Sequence, residues 1–236
     1  MPPPKSPTKS RPTIVFDLDG TLVDTAPDLV ATLNHILTRE GLGPLPYDAA
    51  RNMVGRGARA MIESGLKASG RMLPAVEVNR LEHDFIDHYA ANIAVHSQPF
   101  AEVEAILGRL ADDGYRLAVC TNKLERLSIQ LLDALGLSRR FIAICGPDTF
   151  GSPKPNPKIL LGTIERAGGS RDLAVMVGDS ITDISTARAA AIPVIAVDFG
   201  YTDIPVRDLN ADHMVSAFTE LPSAVNGLLG QPVGNI

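Results

Sequence analysis

Apolar residues fall along this chain in two rhythms, and the change of rhythm divides it. From Pro99 onward, short apolar runs alternate with amphipathic stretches. Glu102 to Leu110 repeats at helical spacing, and Arg116 to Thr121 is a short β-type run that closes on Thr-Asn. Leu124 to Leu135 reads as an amphipathic helix, stopped by Gly136 where a left-handed residue is wanted. Phe141 to Cys145 is a second short strand. Pro157 to Ala167 is a helix with proline near its start and Gly168-Gly169 past its end. Ala174 to Val177, Ile181 to Ala190 and Val194 to Val197 then read as buried strand, helix and strand. This alternation predicts an α/β fold, a doubly wound parallel sheet.

Between Pro27 and His96 the pattern breaks. Leu29, Leu33, Ile36 and Leu37 recur at helical spacing, as do Leu81, Phe85, Ile86 and Tyr89, and no β run intervenes. The expectation is a helical insert over residues 26–96, set into an α/β core made of 12–25 and 97–236. Asp24 or Thr25, followed by Pro27, reads as the N-cap of the first inserted helix. If the insert moves, the hinges fall near Thr25 to Pro27 and Ser97 to Pro99. Residues 1–11 are rich in Pro, Ser and Lys and lack the apolar segment of a secretory signal, so they read as a disordered tail.

Composition narrows the function classes. A net charge of −5 argues against a sequence-independent nucleic-acid binder. No apolar run approaches the roughly 20 residues needed to cross a bilayer. Cys120 and Cys145 lack metal-type spacing and sit in apolar runs, as buried free thiols of a reducing cytosol would. The expectation is a cytoplasmic protein, monomer or homodimer.

The chemistry gathers where strands end. Asp17-Leu18-Asp19-Gly20-Thr21 follows the first apolar run, and Thr121-Asn122 follows another. Lys154 stands in a proline-rich loop, and Gly178-Asp179-Ser180-Ile181-Thr182-Asp183 follows Ala174 to Val177. Parallel strands point the same way, so these segments should converge on one edge. On a regular strand Asp17 and Asp19 would share a face and crowd one volume. Four carboxylates against one ammonium leave about −3, a poor place to admit an anion. A hard, oxygen-seeking cation resolves this, and the donor set suits Mg²⁺ rather than Zn²⁺. With the cation and Lys154 present, the edge could accept a phosphoryl group. One carboxylate would attack phosphorus, and another would handle the proton of the leaving oxygen. Gly20, Thr21, Thr121 and Asn122 would supply close approach and donors to the phosphate.

These motifs resemble those of the haloacid dehalogenase-like hydrolase superfamily, over nearly the whole folded chain. Asp17 to Thr21 matches its D-x-D-G-T motif, Thr121 the second motif, Lys154 the third, and Gly178-Asp179 through Asp183 the fourth. The helical insert resembles the cap of one large subgroup. Val15 to Leu29 is similar to the phosphoglycolate phosphatases within it. The resemblance implies Asp17 as nucleophile and metal ligand, and Asp19 as acid and base with its backbone carbonyl on the metal. It implies Asp179 as a metal ligand, Asp183 as ligand or orienting group, and Thr121 and Lys154 as holders of the phosphoryl group. Dehalogenases of the superfamily lack the second acidic residue, so Asp19 favours phosphoryl transfer.

Specificity should come from the cap. In Val54-Gly55-Arg56-Gly57-Ala58-Arg59, glycines on both sides would let Arg56 enter the pocket and pair with a substrate carboxylate, as on phosphoglycolate or another small phosphorylated metabolite. Arg59 reads as surface, and His83, Asp84, Asp87 and His88 as a solvated face. Other readings stay open: a phosphatase of sugar phosphates or nucleotides, a phosphomutase, or, in a different class, a phospho-accepting signalling or partner-binding module.

Overall fold

The computed structural model describes residues 11–202 and 204–230; most of the tail expected at residues 1–11 lies outside them. Strand β1 is Thr13–Phe16, four apolar or β-branched residues with every side chain buried. The short β2, Val23–Asp24, leads into α1, Ala26–Arg39. Helices α2 (Tyr47–Arg51), α3 (Ala58–Ala68) and α4 (Ala75–Ala91) follow without a strand between them. The chain returns through β3, Gln98–Pro99, which pairs antiparallel with β2. Beyond it lie α5 (Val103–Asp112), β4 (Arg116–Cys120), α6 (Glu125–Ala134), β5 (Ala143–Cys145), α7 (Pro147–Phe150) and α8 (Pro157–Arg166). Then come β6 (Ala174–Gly178), α9 (Ile181–Ala190), β7 (Val194–Val197), β8 (His213–Val215) and α10 (Leu221–Leu229).

Six strands form one parallel sheet in the order β5-β4-β1-β6-β7-β8. Successive residues of each strand face opposite sides, and both sides are packed. Ile14, Phe16, Leu117 and Val119 face a core shared with α5, α6 and α10. Val15, Ala118 and Met176 face Ile159, Leu160, Ile164, Ile184 and Ala187 from α8 and α9. This is the doubly wound arrangement that the alternation predicted. Strand β8 and helix α10 had no forecast; β8 is only three residues long, with two of them exposed, too little for a readable pattern.

The switch in strand order lies at β1, between β4 and β6, so the carboxyl ends of these three strands border one crevice. The first core face continues into the helical insert: Leu33 and Leu37 from α1, Ile62 from α3, and Leu81 and Phe85 from α4 are buried in the same cluster. Two clamps hold the crossings between insert and sheet. One is the β2–β3 pair. The other is Asp28, whose carboxylate accepts from the amides of His96 and Ser97 and from the Ser97 hydroxyl, at 2.7 to 3.0 Å.

The proposed N-cap needs correction in its chemistry. Thr25 is the N-cap residue of α1, but its side chain makes no capping bond. Its hydroxyl donates to Asp19 Oδ1 at 2.8 Å instead. The Tyr201 hydroxyl, far along the chain, accepts from the Ala26 amide at 3.0 Å in its place.

Candidate active site

Strand β1 ends at Phe16, and the chain turns sharply over the next few residues. The amides of Leu22 and Val23 both donate to the Leu18 carbonyl at 3.0 Å, and Gly20 adopts φ +86°. A β-carbon at Gly20 would fall 2.5 Å from Asp179 Oδ2, so only glycine fits this turn. The turn corrects the expectation that Asp17 and Asp19 crowd one volume. Regular strand geometry has already ended, and the two carboxylates go to different partners.

Asp17 faces the core. Its Oδ1 lies 2.7 Å from Lys154 Nζ as an ion pair, without hydrogen-bond alignment. Lys154 also donates to Asp183 Oδ1 at 2.6 Å. Ser180 donates to the other oxygen of Asp183 through both its amide and its hydroxyl. Asp179 accepts from the Thr21 hydroxyl at 3.3 Å and from the Tyr201 amide at 2.8 Å.

Asp17, Asp179 and Asp183 each offer a carboxylate oxygen within 4.8 Å of the others, the one such cluster among the described residues. Burial, followed by repulsion from Asp183, raises Asp17 well above the usual carboxylate range. The same causes raise Asp179 to about 7. Such a site favours either protons or a cation. An all-carboxylate donor set with an Asp17 oxygen lacking a hydrogen bond fits a divalent, oxygen-seeking ion. Both oxygens of Asp179 and of Asp183 already accept hydrogen bonds, so Asp17 has the most to offer it, and the other two can add their remaining lone pairs.

Asp19 faces the insert. Its Oδ1 accepts from Thr25 and, at 2.6 Å, from Lys123 Nζ. Lys123 also donates to the Tyr89 hydroxyl at 3.0 Å and sits over the Tyr89 ring. Burial alone would lower the Lys123 pKa, but Asp19 and Tyr89 outweigh it and the ammonium is held charged. Lys154 is raised in the same way by Asp17 and Asp183. The edge therefore carries four carboxylates and two ammoniums, about −2 rather than −3.

Lys123 was missed although it directly follows Thr121-Asn122. The rule that picked those two, position at the carboxyl end of a parallel strand, reaches one residue further. Tyr89 was read as an apolar helix position and gave no other signal. Its hydroxyl is pushed up to about 12, mainly by burial.

Several predicted phosphate contacts serve the scaffold here. The Gly20 amide donates to the Val23 carbonyl, and the Thr21 hydroxyl is taken by Asp179. Asn122 Oδ1 accepts from the Lys154 amide at 2.8 Å, which pins the loop that carries the lysine. The Thr121 hydroxyl accepts from the Lys123 amide and keeps its own proton free to donate.

A cavity of about 270 Å³ opens beside Asp19 and Lys123, between core and insert. Arg56 lines it, flanked by Gly55 and Gly57 at φ +94° and +89°, and is exposed with no ion pair among the described residues. Arg59 lines it too, but is bound to Asn79, Glu63 and Glu82. Of the predicted solvated face on α4, His88 stacks on His35 with ring centroids 4.0 Å apart. Cys120 and Cys145 are free, buried and aligned on adjacent strands.

Residues 14–197 match the family model described as haloacid dehalogenase-like hydrolase. The chain belongs to that family. Among curated relatives, a phosphoglycolate phosphatase of Mesorhizobium japonicum is 51% identical over 212 residues, covering 90% of this chain and 93% of its own. One from Caulobacter vibrioides is 49% identical, covering 92% of each chain. Among solved structures, a predicted phosphoglycolate phosphatase of Haemophilus somnus superposes with a TM-score of 0.84 at 27% identity, over 91% of this chain and 97% of its own. This member of the family is a hydrolase of the phosphatase type. Among the described residues no helix is long and apolar enough to cross a membrane.

Proposed function

We propose that the chain hydrolyses phosphoglycolate, or a comparably small phosphorylated carboxylic acid, through an aspartyl-phosphate on Asp17. The observation that carries this reading is the division of labour at the sheet edge. Asp17 lies in a cation-ready cluster beside Lys154, while Asp19 opens onto a small cavity that also holds Lys123 and Arg56. The curated relatives named as phosphoglycolate phosphatases support the choice of substrate.

Mg²⁺, held by Asp17 with Asp179 and Asp183, would neutralise the cluster and draw charge from the phosphoryl oxygens. Lys154 pairs with the remaining phosphoryl charge and the Thr121 hydroxyl donates to it, so an anion becomes acceptable where carboxylates alone would repel it. Asp17 attacks phosphorus, and Asp19 gives a proton to the departing alkoxide oxygen. Asp19 then takes a proton from the water that attacks the phosphorylated Asp17, which restores both groups. Asp19 accepts from Lys123 and Thr25, the bonding of a carboxylate. Acting as an acid requires those bonds to loosen. A substrate carboxylate drawing on Lys123 and Arg56 loosens them at the right moment.

A panel of phosphomonoesters tests this directly, with phosphoglycolate, sugar phosphates, nucleotides and pyrophosphate assayed in Mg²⁺ and in EDTA. The expected result is phosphate release that EDTA abolishes, with the highest kcat/KM on phosphoglycolate. A peak on a sugar phosphate would discard the substrate and keep the chemistry. Release that is indifferent to EDTA would discard the cation.

A further inference from the structure

Tyr201 has no part in the hydrolysis, yet it is bonded to the cation cluster and to the hinge at once. Its amide donates to Asp179 Oδ2 at 2.8 Å. Its hydroxyl donates to Asp24 Oδ1 at 2.6 Å and accepts from the Ala26 amide at 3.0 Å. Asp24 ends β2 and Ala26 opens α1, so one buried hydroxyl spans the point where the core becomes the insert. The preceding residue is packed as tightly. A β-carbon at Gly200 would fall 2.3 Å from the Asp179 side chain, so the segment lies directly against that carboxylate.

The insert grips the same segment from its own side. Arg51, at the end of α2, donates to the Gly200 carbonyl at 2.9 Å and lies 4.9 Å from the centre of the Tyr201 ring. A shift of Asp179 therefore has a short, stiff path to α1 and α2, made of hydrogen bonds and one cation–π contact. No other described residue capping α1 competes, because the Thr25 hydroxyl is committed to Asp19.

We propose that Gly200-Tyr201 is a strut that couples cation binding at Asp17 and Asp179 to the seating of the helical insert, with Tyr201 as a positioning residue. The proposal rests on the cation reading above. It predicts that Mg²⁺ steadies the hinge and that the Tyr201 hydroxyl and Arg51 transmit the effect.

The test is hydrogen exchange of residues 22–28 and 96–100 with and without Mg²⁺, alongside calorimetric Mg²⁺ titration, with substrate absent. In the unaltered protein Mg²⁺ should slow hinge exchange. Tyr201→Phe keeps the ring and should still bind Mg²⁺ within a fewfold of normal. Its hinge should exchange about fivefold faster, as expected for one net hydrogen bond, and Mg²⁺ should no longer slow it. Arg51→Ala, a half-exposed position safe for folding, should weaken the same coupling without removing it. The kinetic counterpart is a fall in kcat with little change in KM. Equal slowing by Mg²⁺ in all three proteins would overturn the strut while leaving the cation reading intact. Failure of the unaltered protein to bind Mg²⁺ would overturn both.

Discussion

At one sheet edge, two lysines meet two aspartates that are neighbours but one in sequence. Lys154 joins Asp17 and Asp183, and all three belong to the α/β core. Lys123 joins Asp19 and Tyr89, and Tyr89 arrives from α4 of the insert. Both ammoniums are buried and both are held charged, because carboxylates outweigh the cost of burial. The difference lies in who completes each pair. The Lys154 group is closed within the core and keeps its charge whatever the insert does. The Lys123 group is whole only while the insert is seated. In the proposed mechanism, phosphoryl handling therefore rests on the scaffold alone, whereas leaving-group chemistry rests on a group that the insert completes.

The largest effects should come from breaking the core half. Asp17→Asn is nearly isosteric and removes the proposed nucleophile, so kcat should fall on the order of 10⁴-fold or more, with circular dichroism unchanged. Retained turnover would remove Asp17 from its assigned role. Asp19→Asn should be graded instead. Alkyl phosphates should lose roughly 10²- to 10⁴-fold, the usual worth of general acid catalysis. Aryl esters such as p-nitrophenyl phosphate, whose leaving group needs no proton, should lose far less in the first step. Equal losses on both would contradict the acid role.

The same comparison explains what could be read from the sequence. Asp17, Asp179 and Asp183 were legible because they lie just beyond a strand end or in the first turn of the helix that follows one, and a parallel sheet brings such ends together by topology alone. Lys154 lies further on, past α7, and was legible from its proline-rich loop and motif. The buried, unbroken apolar strands made that topology readable. The parting of Asp17 from Asp19 was not legible, since it depends on a turn that begins at Leu18, between them. Neither was Tyr89. Its apolar spacing reports burial in α4 and says nothing of an ammonium above its ring. Thr25 shows the same limit: its type and position fit a helix cap, but a nearer carboxylate took the hydroxyl.

Removing the partners of Asp19 on the insert side, and leaving Asp19 itself, should cost less, and in a different parameter. Lys123→Met removes a cation from the cavity and leaves Asp19 without its ammonium. KM for phosphoglycolate should rise about tenfold or more, the loss of a charged hydrogen bond, with a smaller rise for esters lacking a carboxylate. Tyr89→Phe removes only the hydroxyl partner and should change kcat/KM by about twofold to tenfold. If Lys123→Met affects charged and neutral substrates alike, Lys123 serves Asp19 alone and takes no part in recognition.

The smallest effect separates the two halves without any substrate. Asp17 and Asp179 have raised pKa values in the folded state, and Asp179 titrates near 7 against an ordinary value of 3.8. A folded-state pKa above the unfolded one means that the contribution is full below pH 3.8. It is lost as pH rises through about 7, because the folded cluster must then hold uncompensated charge. In EDTA, the thermal midpoint should therefore fall by several degrees between about pH 5 and pH 8. Saturating Mg²⁺ should flatten or reverse that slope, since a bound cation stabilises the ionised form. Lys123 and Lys154, both raised above an already high value, do not titrate in this window. Asp179→Asn should remove most of the EDTA slope, and Lys123→Met should leave it in place. If Lys123→Met flattened the slope as well, the two ion-pair groups would be one coupled unit, and the division between core and insert would fail.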